Sequence, residues 1–103
     1  MKAICLVRRW GNGPQTRMEN EAVMLADAAR LSGVDVVSVY SSSSLDALSD
    51  VDVDAILAMM AEAGSNRIVI RNLVEIADPD AGERFDAIMG RLPRDTLFCL
   101  MEL

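Results

Sequence analysis

Apolar and polar positions alternate in four blocks along the chain, each opening on a short apolar run. Residues 2–8 form the first run, Lys2-Ala-Ile-Cys-Leu-Val-Arg8, bounded by a Gly- and Pro-containing turn. A continuous apolar run of this length predicts a strand buried on both faces. Thr16-Arg17-Met18-Glu19 then has capping-box spacing, and Met18, Ala22, Leu25 and Ala29 recur at intervals of three and four. That spacing predicts a helix from about 17 to 31, ended by Gly33. Val34 to Tyr40 is rich in β-branched residues and predicts a second strand, followed by the polar loop Ser41 to Ser44.

The pattern then repeats. Ser49 and Asp52 form a second capping-box pair, and Val53, Ile56, Leu57 and Met60 continue a helical face up to Gly64. Residues 67–71 predict a third strand, whose three central residues are all apolar. Residues 72–77 are too few for a helix and too apolar for a free loop. Asp78-Pro79 predicts an N-cap with Pro in the first helical position, and Asp80 and Glu83 in the positive first turn. Phe85, Ile88, Met89 and Leu92 supply that helix's apolar face, Pro93 closes it, and residues 96–101 predict a fourth strand.

Strands alternating with helices predict a single α/β domain over residues 1–103, a three-layer α/β/α arrangement around a four-stranded parallel sheet with right-handed crossovers. The composition, 51% hydrophobic and 25% charged, is that of a folded globular chain. No apolar run reaches the roughly 18 residues of a membrane span, and the N-terminus lacks signal-peptide organisation, so the expectation is a cytoplasmic protein without membrane contact.

Charge narrows the function. The net charge is −6, which repels polyanions and disfavours nucleic-acid binding by this chain alone. There is no His, and the two cysteines fall in predicted strands, so no metal and no cofactor is expected. If the strand order is 2-1-3-4, Cys5 and Cys99 lie two strands apart, roughly 10 Å, too far for a disulfide.

Candidate chemistry gathers where the first strand ends. Arg8, Arg9, Gly11 and Gly13 could hold an anion through guanidinium forks and backbone amides, since ligands of open α/β sheets collect beyond the carboxyl ends of the strands. The plainer alternative is a tight turn with one arginine paired to a carboxylate. The loop is neither a dinucleotide fingerprint nor a P-loop. Trp10, the only tryptophan, suits either an anchor for a protein partner or a lid over the core edge, with Ser42 and Ser43 as further contacts.

No base stands ready for a nucleophile among Ser41 to Ser44: His is absent, and Lys2, the only lysine, lies at the far end of the first strand. These serines read as turn and capping residues. Asp46, Asp50, Asp52 and Asp54 lack the Gly and terminal Glu of a calcium loop and read as a solvated acidic helix start.

Over residues 2–102, this order of elements resembles the catalytic domain of the serine recombinases, the resolvase and invertase family. The family's first strand carries Y-x-R-x-S, matched by Leu6-Val7-Arg8-Arg9-Trp10; its E-x-Q-like helix segment is matched by Glu19-Asn20-Glu21. Gly33 to Tyr40 and the serine loop match its second strand and the loop beyond, and Asn72-Leu73-Val74-Glu75-Ile76-Ala77-Asp78 stands at its K-L-D-R-L-x-R motif.

The resemblance implies the strand order 2-1-3-4. It also implies a site whose serine attacks a DNA phosphodiester among several arginines. Here Trp10 occupies the serine position, and Val74, Glu75 and Asp78 stand where the family has an aspartate and two arginines. Of those residues only Arg8 is retained. The expectation is a site without catalytic residues, with Arg8, Arg9, Gly11 and Gly13 as an anion-binding remnant, in a domain acting through a protein partner or through self-association. The alternative is a small domain binding a phosphorylated small molecule or nucleotide at the first loop.

Overall fold

The computed structural model describes residues 2–8 and 15–101. Its elements are β1 (Lys2–Arg8), α1 (Gln15–Leu31), β2 (Asp35–Ser42), α2 (Asp50–Ala63), β3 (Arg67–Ile70), α3 (Gly82–Arg91) and β4 (Leu97–Leu100), with one 3-10 turn at Leu73–Glu75. All strand pairings are parallel and the sheet order is β2-β1-β3-β4. The predicted architecture and strand order are those observed.

β1 is central, and every residue from Ala3 to Arg8 is buried, which accounts for its unbroken apolar run. Its side chains divide between two cores. Ile4 and Leu6 join Ile68, Ile70, Val53, Ile56, Met60, Ile88 and Leu92 under α2 and α3. Ala3, Cys5 and Val7 join Ala22, Leu25, Ala26 and Ala29 of α1 on the opposite face. Two helices therefore cover one face and a single helix the other. Gly64 ends α2 at φ 61° and Gly33 follows α1 at φ 91°, where a side chain would be strained.

Several boundaries differ from the sequence expectation. α1 begins at Gln15, so the helix starts before Thr16. β2 runs on to Ser42: Ser41 and Ser42 pair with Val7 and Arg8, and only the last two serines belong to the loop. Asp78 does not cap a helix. α3 starts at Gly82 behind Ala81, with no side-chain cap, because the Asp78 carboxylate is engaged by Arg8. Asp80 accordingly lies in the preceding turn, and only Glu83 occupies the first turn.

The Ser49–Asp52 capping box is present, with both reciprocal hydrogen bonds formed. The loops beyond β2 and after the 3-10 turn are joined by an Ala47–Ala77 bridge and by the Leu48 and Asp78 N–H groups, which donate to Ile76 and Asp46. Both loops are thus held at the carboxyl end of the sheet.

Candidate functional site

Arg8 ends β1 in the middle of the sheet, with Ser42 beside it on β2. Its side chain is only 1% exposed and turns inward. Nη2 donates to the Val74 carbonyl at 2.6 Å and to Asp78 Oδ1 at 2.5 Å; Nε donates to Val74 at 3.3 Å, and Nη1 to the Ser44 carbonyl at 3.3 Å. All three guanidinium nitrogens have partners within the chain. Arg8 is thus paired to a carboxylate of its own chain.

Arg71, just past β3, builds a second ion pair alongside. It grips Glu75 through Nε and Nη2, at 3.0 and 3.1 Å, while Nη1 reaches Glu21 on α1 at 2.5 Å. Glu75 is fully buried, and its Oε1 also accepts the Arg8 backbone N–H at 3.5 Å. Burial of the Arg71 guanidinium works against its charge, but the hydrogen bonds and negative charges of Glu75 and Glu21 outweigh it and raise its pKa. Among the described residues, three carboxylates face two guanidinium groups here.

A polar cluster adjoins these pairs on the β2 side. Asp52 is 6% exposed and accepts hydrogen bonds from Tyr40 Oη at 2.6 Å, Ser42 Oγ at 2.7 Å, Ser44 Oγ at 2.5 Å and the Ser49 N–H at 2.9 Å. Burial alone would push its pKa up; the four donors prevail and hold it at about 2. The cluster fixes the Ser42 and Ser44 hydroxyls as donors to one carboxylate. Tyr40 responds in the other direction: burial, then its bond to Asp52 and that residue's charge, raise the phenol to about 12. Ser44 links the two assemblies, its carbonyl accepting from Arg8 and its hydroxyl donating to Asp52.

The acidic helix start is therefore only partly solvated. The Asp50 and Asp54 side chains are open to water and pair with Arg91, whereas Asp52 is an internal anchor. Ser42, expected as a partner contact, is 1% exposed and committed to Asp52, so it offers no surface; Ser43 is exposed. Arg9, Trp10, Gly11 and Gly13 lie outside the described residues. Beside Asp78 is an open hollow of about 720 Å³, lined by Asp46, Asp78, Asp80, Glu83 and Arg84 among others. Carboxylates dominate its charge.

Glu75 and Asp78 stand at motif positions in the sequence, but local pattern does not assign their arginine partners. Arg71 and Glu75 do carry the i, i+4 spacing of an ion pair. Asp52 gave one sign of its role, the capping-box spacing; its contacts with Tyr40, Ser42 and Ser44 depend on tertiary placement.

No family model matches this sequence, and no protein of curated function does. Among solved structures, the chain is similar to the C-terminal catalytic domain of ISC1926 TnpA, an IS607-like serine recombinase, with a TM-score of 0.62 and 13% sequence identity. The similarity covers 85% of this chain and 63% of that one, less than two thirds of its length. At this identity the likeness is one of fold: the chain has a serine-recombinase-like α/β fold with a 2-1-3-4 parallel sheet.

Proposed function

We propose that this chain is a catalytically inactive serine-recombinase-like domain that works by binding another protein or a second copy of itself, in the setting of DNA recombination. The observation that carries this reading is the pairing of Arg8 with Asp78. At the place where the resemblance expects cations around a phosphodiester, the surviving arginine is neutralised from within, and Trp10 stands at the position of the nucleophile. Carboxylates at such a site repel phosphate, and the loss of a single charge-assisted contact to a transition state costs about 3 kcal/mol. Replacement of the nucleophile removes the reaction path as well.

The test is incubation with supercoiled DNA, followed by denaturing gels for protein-linked strands and by mobility-shift gels. Neither covalent product nor shift is expected, and covalent capture of DNA on this protein would overturn the reading. Binding of a phosphorylated small molecule draws no support from a guanidinium closed by Asp78 or from a hollow lined by carboxylates. Calorimetric titration with nucleotides and sugar phosphates is expected to give no heat that Arg8→Ala abolishes.

A further inference from the structure

The two edges of the sheet are finished differently. β2 begins with Asp35 and carries an extra residue, Val37, where Ala3 and Ile4 pair with Val36 and Ser38, and such bulges and charges discourage pairing with another chain. β4 pairs in unbroken register with β3, and its residues Leu97-Phe98-Cys99-Leu100 include no charge. Leu97 and Leu100 are 49% and 61% exposed. Among the described residues, the helix of the α1 face lies chiefly over β2, β1 and β3, and Cys99 and Met101 at the outer strand are only partly buried against that face's core.

Backbone geometry specifies what this edge can accept. The Leu97 and Met101 N–H groups donate inward, to Asn66 and Ile70. Alternation along a strand then directs the N–H and C=O groups of Phe98 and Leu100 outward, away from β3. We propose that β4 is a self-association edge, along which two copies pair antiparallel about a two-fold axis at Cys99 and join their sheets into one of eight strands. The proposal rests on the reading of this chain as an interaction domain and names its partner.

The occupant follows from self-complementarity. In this register Phe98 of each copy lies opposite Leu100 of the other, so the outward groups of both residues are satisfied by reciprocal hydrogen bonds. The same register sets Leu97 opposite Met101, giving both exposed leucines an apolar cross-strand neighbour with no like charges opposed. A two-fold axis makes every contact occur twice, as a closed dimer requires. The two Cys99 residues meet as a non-hydrogen-bonded pair, with Cα atoms roughly 4.5 Å apart, within disulfide reach. Cys5 cannot substitute for it, being fully buried with a thiol pushed up to about 12.

Two four-residue strands make a small interface, so association is expected on the order of 100 μM. Sedimentation equilibrium of the full chain from roughly 10 μM to 1 mM should show a monomer–dimer equilibrium. Leu100→Lys should weaken it by at least about tenfold, and Val51→Lys, on an exposed position of α2, should leave it unchanged. Leu97→Lys serves as the second edge variant if circular dichroism shows Leu100→Lys to be misfolded. Oxidation with diamide should yield a covalent dimer that Cys99→Ser abolishes without abolishing sedimenting dimer.

A monomer at every concentration, a dimer indifferent to the edge lysine, or no Cys99-linked product from a sedimenting dimer would each overturn the proposal. The DNA-capture assay is independent of all three, so failure of this edge and failure of the inactive-domain reading are distinguishable.

Discussion

Arg8 and Asp78, 70 residues apart in the chain, meet at 2.5 Å beyond the carboxyl end of the sheet. Arg8 is carried there by the central strand, Asp78 by the segment that follows the 3-10 turn. The pair forms an internally neutralised joint at the mouth of the sheet. It also ties the last part of the chain to the first strand.

Removing Asp78 should therefore lower stability. Asp78→Ala leaves a buried guanidinium held only by carbonyls, and because Asp78 is itself 39% exposed the expected loss is discounted to about 1–3 kcal/mol. The Arg8→Met, Asp78→Ala double variant should recover part of it, since no buried charge then remains. Urea unfolding of the four forms checks this; a neutral Asp78→Ala would show that solvent and the carbonyls already satisfy Arg8.

Asp52 predicts an acid-sensitive component of stability. Its folded pKa of about 2 lies below the ordinary value of 3.8, so the folded state binds its proton less tightly than the unfolded chain. The contribution, about 2 kcal/mol, is fully present above pH ~4 and is lost as pH falls through ~2. Unfolding free energies measured between pH 2 and 6 should lose this component in Asp52→Asn, which should also be less stable near neutrality because it replaces a buried acceptor of four hydrogen bonds with an amide.

Tyr40 is the only tyrosine, so its ionisation can be followed by ultraviolet absorbance without interference from another phenol. The expected midpoint is near 12, above the ordinary 10, so the stability tied to the neutral phenol is present below pH 10 and lost as pH rises through about 12. Asp52→Asn should lower the midpoint by removing the charge. A midpoint at 10 in the folded protein would contradict the Tyr40–Asp52 hydrogen bond.

The two thiols should separate cleanly. Cys5 is buried with its pKa pushed up to about 12, and Cys99 is partly exposed. An aromatic disulfide reagent should titrate one thiol in native protein and the second only on unfolding. Native reactivity remaining in Cys99→Ser would show that the α1 side of the sheet opens.

Sequence pattern alone determined the order of the elements, the parallel sheet and the two buried faces of β1, because burial imposes a periodicity that any linear reading can count. The Ser49–Asp52 cap was equally legible, being a contact three residues long. It also placed Trp10, Glu75 and Asp78 at the motif positions of the resemblance. Only the tertiary structure decided which charges neutralise which. Arg8 finds Asp78, and Arg71 finds Glu21 as well as its near neighbour Glu75, across gaps that local pattern does not span. The same long-range choice withdrew Asp78 from helix capping and Ser42 from the surface, since a buried guanidinium and a buried carboxylate each require partners from whichever strand ends the fold brings beside them.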